Sequence, residues 1–117
     1  MHEMAITENI LQIVLAEAKK AGAGRVSKIS LVIGELSAIE DASVQLYFEM
    51  LSDDTMAAGA RLEFTHMAAT LRCNACEHCY PKQGHSFICP RCGSDGMLTG
   101  DAKEFYVESI EVECADG

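Results

Sequence analysis

The chain has 117 residues, a formal charge of -9, and hydrophobic side chains at 49% of its positions. That is enough for one ordinary domain, or a small domain plus a metal module, and it excludes a disordered or low-complexity protein. Nine lysines and arginines against eighteen acids leave no basic stripe, which argues against a nucleic-acid binder and favours protein partners and cations.

The start, Met1-His2-Glu3, has neither the basic region nor the apolar stretch of a secretion signal. No apolar run reaches the roughly eighteen residues that a membrane span needs. The expectation is a cytoplasmic protein without membrane insertion, a monomer or homodimer. In that setting six cysteines read as metal ligands and free thiols, not as a disulfide framework.

Glu3 to Lys20 patterns as an amphipathic helix. Ile6, Ile10, Ile13 and Val14 fall on one face, Leu11 and Ala18 widen it, and Gly22 and Gly24 stop it. Glu3 and Glu8 early, with Lys19 and Lys20 late, suit the helix dipole. Ser27 to Ile33 reads as a strand in which Ile29, Leu31 and Ile33 alternate with Lys28, Ser30 and Val32. A second helix is expected from Ala38 to Leu51, with Ser37-x-x-Glu40 as a capping box and Val44, Tyr47, Phe48 and Leu51 as its apolar face. Arg61 to Met67 is a second strand. A cysteine module fills Thr70 to Leu98, and a last strand runs from Glu104 to Cys114 with Ile110, Val112 and Cys114 on one face. The predicted fold class is α+β: two helices packed on a three-stranded sheet, with an inserted zinc-ribbon-like four-cysteine module.

The module carries Cys73-x2-Cys76 and, twelve residues on, Cys89-x2-Cys92. Each pair makes a tight turn that aims two sulfurs at one ion, and the intervening span lets the turns face each other. Four thiolates in a tetrahedron suit zinc, with iron as the chief competitor. A closed set of four ligands leaves no position for water, so the expected zinc is structural and not catalytic. The module has few bulky apolar residues (Tyr80, Phe87, Ile88, Met97, Leu98), too few to fold without a crosslink. Cys76 and Cys79 form a second possible pair; the twelve-residue gap favours Cys73 and Cys76, which leaves Cys79 as a nearby spare thiol. Cys114 reads as a buried core thiol.

The second constellation is the N-terminus. Enzymes that trim the initiator methionine require a small second residue, so His2 should keep Met1 in place. The α-amine, the backbone nitrogens and the His2 imidazole then lie within one chelating reach, a nitrogen set that suits square-planar Ni(II) or Cu(II). By itself a histidine at position 2 is usually just exposed and frayed. Glu3, Glu40 and Asp41 are candidate oxygen partners, although the capping box is the better reading of Glu40 taken alone. His78 and His85, inside the module, read as donors to sulfur or as surface groups, and His66 as a strand-end residue. No phosphate loop, nucleophile elbow or HExxH helix occurs, so the chain reads as a binder and not an enzyme.

The start Met1-His2-Glu3-Met4-Ala5-Ile6, the stretch Ile33-Gly34-Glu35-Leu36-Ser37 and the four-cysteine module, in this order, resemble the HypA (HybF-type) family of hydrogenase-maturation nickel metallochaperones. The resemblance covers essentially the whole chain. It implies a nickel-binding domain of residues 1–69 and 101–117 and a zinc domain of residues 70–100. It implies nickel held by His2 with the Met1 amine and Glu3, Glu40 contributing, and zinc held by Cys73, Cys76, Cys89 and Cys92. It further implies a GTPase partner, HypB, and delivery of Ni(II) to the [NiFe]-hydrogenase large subunit, with urease maturation proteins as further partners in some members. Some relatives have histidines directly flanking the cysteine pairs; here Glu77 and Gly93 follow Cys76 and Cys92, with His78 one place further on, so a pH switch of zinc ligation is not expected from them. The alternative is a zinc-ribbon protein-interaction adaptor without a specific nickel site.

Overall fold

Helix α1 (Glu3–Lys20) opens the computed structural model, which describes residues 3–84, 86–99 and 104–114. Its buried stripe is Thr7, Ile10, Leu11, Val14 and Ala18, so the inward face is turned slightly from the one expected. Ile13 is exposed and Ile6 half-buried. Thr7 can lie inside because its Oγ1 donates to the Glu3 carbonyl at 2.6 Å, which satisfies the hydroxyl within the helix.

Strand β1 (Ala23–Gly34) follows, then α2 (Asp41–Leu51), β2 (Arg61–Met67), β3 (Thr70–Cys73), β4 (Cys79–Pro81), β5 (Gly96–Thr99) and β6 (Phe105–Cys114). The strands form two sheets. In the larger, β1 is central, parallel to β2 and antiparallel to β6; in the smaller, β3 is central between β4 and β5. Both helices pack on one face of the larger sheet through a single cluster that includes Leu11, Val14, Val26, Ile29, Leu31, Val44 and Phe48. Burial of a side chain such as Phe48 or Ile29 stabilises by about 1.5–3 kcal/mol. The architecture is α+β, two helices on a three-stranded sheet, with the four-cysteine module between β2 and β6 in the chain.

β1 begins four residues earlier than the alternation suggested, because three bulges interrupt its pairing with β6. Gly24 and Ser27 are extra residues on β1, and Glu108 is the extra residue on β6. Each bulge shifts the inward-facing parity by one. Hence Val26 and Ile29 both reach the helices although one is even-numbered and the other odd, and Phe105, Val107 and Ile110 do the same from β6. Val32, expected on the polar side, is also buried. Beyond Ile110 the strand outruns the helix cover: Val112 and Cys114 are exposed, so Cys114 is not a core thiol. On the outer face Lys28 Nζ lies 2.9 Å from Glu111 and 3.4 Å from Glu63, tying all three strands together. The hydrogen bond to Glu111, then its charge and that of Glu63, hold the Lys28 ammonium above its usual range.

The loop into α2 departs from the expected capping box. Ala38 has φ of 61°, a left-handed conformation that no helix residue adopts, and the helix starts only at Asp41. Ser37 Oγ instead accepts from the Ile39 amide at 3.4 Å. Glu40 is the residue before the helix, extended at φ -102°, and its side chain makes no capping bond. Because a Cβ in the left-handed region is costly, Ala38→Gly is expected to raise stability by about 0.5–1 kcal/mol, read as a higher midpoint in thermal denaturation.

Candidate metal centre

The cysteine module repeats one turn twice. After Cys73, the Ala75 and Cys76 amides point at its sulfur (3.3 and 3.4 Å), and the Glu77 amide donates to the Cys73 carbonyl. After Cys89, the Arg91 amide points at its sulfur (3.4 Å), and the Gly93 amide donates to the Cys89 carbonyl. The amides of Cys73 and Cys89 close each turn by donating to the carbonyls five residues on, those of His78 and Ser94. Each turn ends in the left-handed region, at Gly93 (φ 78°) and at Glu77 (φ 62°). Gly93 announces that conformation in the sequence; Glu77 hides it, and there the Glu77 carboxylate reaches Arg72 at 2.6 Å.

These turns bring the four sulfurs of Cys73, Cys76, Cys89 and Cys92 within 4.8 Å of one another. Cys73 and Cys92 are 3.4 Å apart, Cys76 and Cys89 3.7 Å. Zn–S bonds of about 2.3 Å in a tetrahedron would set sulfurs about 3.8 Å apart, so the donor set fits a four-thiolate zinc ion. Among the described residues this is the one gathering of three or more histidine, cysteine or acidic side chains close enough to hold an ion.

Amide donors bias the site toward anionic sulfur. The Cys76 amide, helped by that of Ala75 and the Cys92 and Cys76 thiols, brings the Cys73 thiol down to about 6 against the push of desolvation. For Cys76 the His78 amide pulls down, but desolvation and the thiols of Cys73, Cys89 and Cys92 outweigh it and push the group up to about 11. Four thiolates this close repel one another, so a cation must replace the remaining protons, and affinity for it falls as pH falls.

Cys73 and Cys89 are themselves half of the module's small core, with Leu71 and Tyr80. The Tyr80 hydroxyl donates to the Phe87 carbonyl at 2.6 Å, and the His78 ring stacks on Tyr80 with centroids 6.0 Å apart. A Cβ on Gly96 would overlap that hydroxyl and come within 3.0 Å of the Arg72 carbonyl. Gly96→Ala is therefore expected to destabilise the module by about 1–3 kcal/mol, measurable as faster loss of metal to a competing chelator. Cys79 stands opposite Arg72 on the exposed side of the small sheet, whereas Cys73 is turned to the buried side, so the Cys76/Cys79 pairing is not the one built here.

The expected nickel ligands Met1 and His2 lie outside the described residues, as does His85. Glu3 is the first residue of α1, and Glu40 directly precedes α2. Asp41, one of the candidate oxygen donors, is engaged with His66 Nε2 at 2.9 Å across the loop, a pairing with no signal in the sequence.

A family model described as "Hydrogenase/urease nickel incorporation, metallochaperone, hypA" matches residues 1–112. A protein from Dehalococcoides mccartyi named hydrogenase maturation factor HypA is 43% identical over 97% of this chain and 95% of its own length. Another of that name, from Caldanaerobacter subterraneus subsp. tengcongensis, is 41% identical over 97% of this chain and its whole length. The solution structure of the Ni metallochaperone HypA from Helicobacter pylori superposes with a TM-score of 0.68 at 23% identity, covering 97% of this chain and 99% of that one. The helix-covered sheet and the paired cysteine turns thus coincide with a sequence match along nearly the whole chain, and the chain belongs to the HypA family of hydrogenase/urease nickel incorporation metallochaperones.

Proposed function

We propose that this chain carries Ni(II) at its N-terminus and delivers it to the [NiFe]-hydrogenase large subunit precursor, acting in the cytoplasm with a HypB-type GTPase and without catalysis of its own. The observation that carries this reading is the family match from residue 1 to residue 112. The cysteine site supports it by elimination. Four thiolates that close on one ion suit a resident metal, so a metal that must be handed on belongs elsewhere.

In this reading zinc is held by Cys73, Cys76, Cys89 and Cys92 and staples residues 70–100, while residues 1–69 and 101–117 form the nickel-binding domain. Zinc in such a site supplies folding energy. Nickel is bound by the Met1 amine and the His2 imidazole, with Glu3 beside them. Glu40 adds an oxygen, consistent with a carboxylate that makes no capping bond. A terminus can surrender its cargo by stepwise ligand exchange, which an enclosed cage resists. No helix among the described residues is long and apolar enough to cross a membrane. The amine is tested by adding one residue before Met1: nickel titrated by calorimetry should bind the native chain with a planar, low-spin optical band and the extended chain at least about tenfold more weakly. Equal affinity would remove the amine from the site.

A further inference from the structure

We infer that Glu35 is a latch that fixes how the cysteine module is held against the helix-covered sheet. Ala68–Ala69 crosses between the sheets, from β2 to β3, and Glu104 directly precedes β6. The dipeptide Gly34–Glu35, at the end of β1, grips both. The Gly34 amide donates to the Glu104 carbonyl at 2.7 Å, and the Glu35 amide to the Met67 carbonyl at 2.8 Å. The Glu35 carboxylate then reaches past β2 and accepts the Ala69 amide at 2.7 Å.

Ala69 is the node of this arrangement. It is fully buried, and its carbonyl accepts the Lys82 amide, which belongs to the module, at 2.8 Å. One residue is thus tied through its N–H to the loop after β1 and through its C=O to the strand β4 region. Among the described residues no salt bridge joins the module to the helix-covered sheet: six lie within the sheet and its helices and one, Arg72–Glu77, within the module. The Glu35 bond is the one side-chain hydrogen bond among them that reaches the crossing segment Ala68–Ala69. A charge-assisted bond to a buried amide is stronger than a neutral one, and losing the acceptor strands the donor. A cleft of about 410 Å³ opens at this junction between Ile33, Glu35, Ile39, His66, Met67 and Lys82, so a change in the angle between the sheets changes its width.

The inference does not depend on which metal the chain carries. Its test uses the full-length, metal-replete protein and two readouts, amide exchange at Ala69 and residual dipolar couplings of the two sheets. In the native chain one alignment tensor should describe both sheets, and the Ala69 amide should be protected. In Glu35→Ala, exchange at Ala69 should accelerate about tenfold to a hundredfold, and the two sheets should require separate tensors. Glu35→Gln, whose amide oxygen still accepts, should restore the common tensor and most of the protection. If Glu35→Ala fails to fold, Glu35→Asp, whose carboxylate is one methylene too short to reach the Ala69 amide, decides the matter: separate tensors support the latch, and a common tensor overturns it. Faster exchange in Glu35→Ala with the common tensor intact would reduce Glu35 to a local amide partner and overturn the proposal.

Discussion

Cys89→Ser is expected to release zinc and unfold residues 70–99 while the helix-covered sheet stays folded. Cys89 is buried, with its sulfur 3.7 Å from that of Cys76. A serine hydroxyl is a poor ligand for a soft-thiolate zinc site, so the variant retains three ligands and an open position. The module has little to fall back on, because two of its four core residues, Cys73 and Cys89, are proposed zinc ligands. The other core holds twelve buried residues from both helices and β1 and β2, together with the segment before β2, and needs no metal. Zinc contributes about 10–16 kcal/mol in small zinc-folded peptides, which sets the scale of the loss. Elemental analysis should show substoichiometric zinc, and amide exchange should show protection lost in β3, β4 and β5 but kept in α1 and β1. Full zinc content with a protected module would show that the four sulfurs are not the site.

His2→Ala is expected to abolish stoichiometric nickel binding with zinc content and thermal midpoint unchanged. Ni(II) in a planar field prefers compact nitrogen donors, and the imidazole is the one strong side-chain nitrogen next to the terminal amine. Glu3 and Glu40 offer only oxygens, and in the proposed assignment the thiolates hold the other ion. The fold should be indifferent, since the substitution precedes α1 and the core begins at Thr7. Calorimetry with nickel on both proteins, each with zinc in place, decides it. Undiminished uptake by the variant would sink the N-terminal assignment and leave the protein-interaction adaptor as the reading to pursue.

Much of this molecule was legible because its signals are periodic or punctuated. The spacing of Cys73, Cys76, Cys89 and Cys92 specified the cluster, and the recurrence of Val44 and Phe48 specified the inward face of α2. What escaped was set by backbone geometry that side chains do not advertise. Bulges at Gly24, Ser27 and Glu108 changed parity along β1 and β6, hiding Val26 and misplacing Cys114. Ser37-x-x-Glu40 has the letters of a capping box, yet Ala38 turns left-handed between them and delays the helix to Asp41. The Glu35–Ala69 and Asp41–His66 contacts join residues far apart in the chain, where no local pattern can record them. The proposed nickel ligands rest on the family resemblance, with Met1 and His2 outside the described residues.

The bulged strand β6 has one more consequence. It is the outer strand of its sheet and ten residues long, the kind of border onto which another chain can add itself in register. Its bulge at Glu108 breaks the regular spacing such an intruder would need. The irregularity that obscured the strand's register in the sequence thus also guards the protein against aggregating through it.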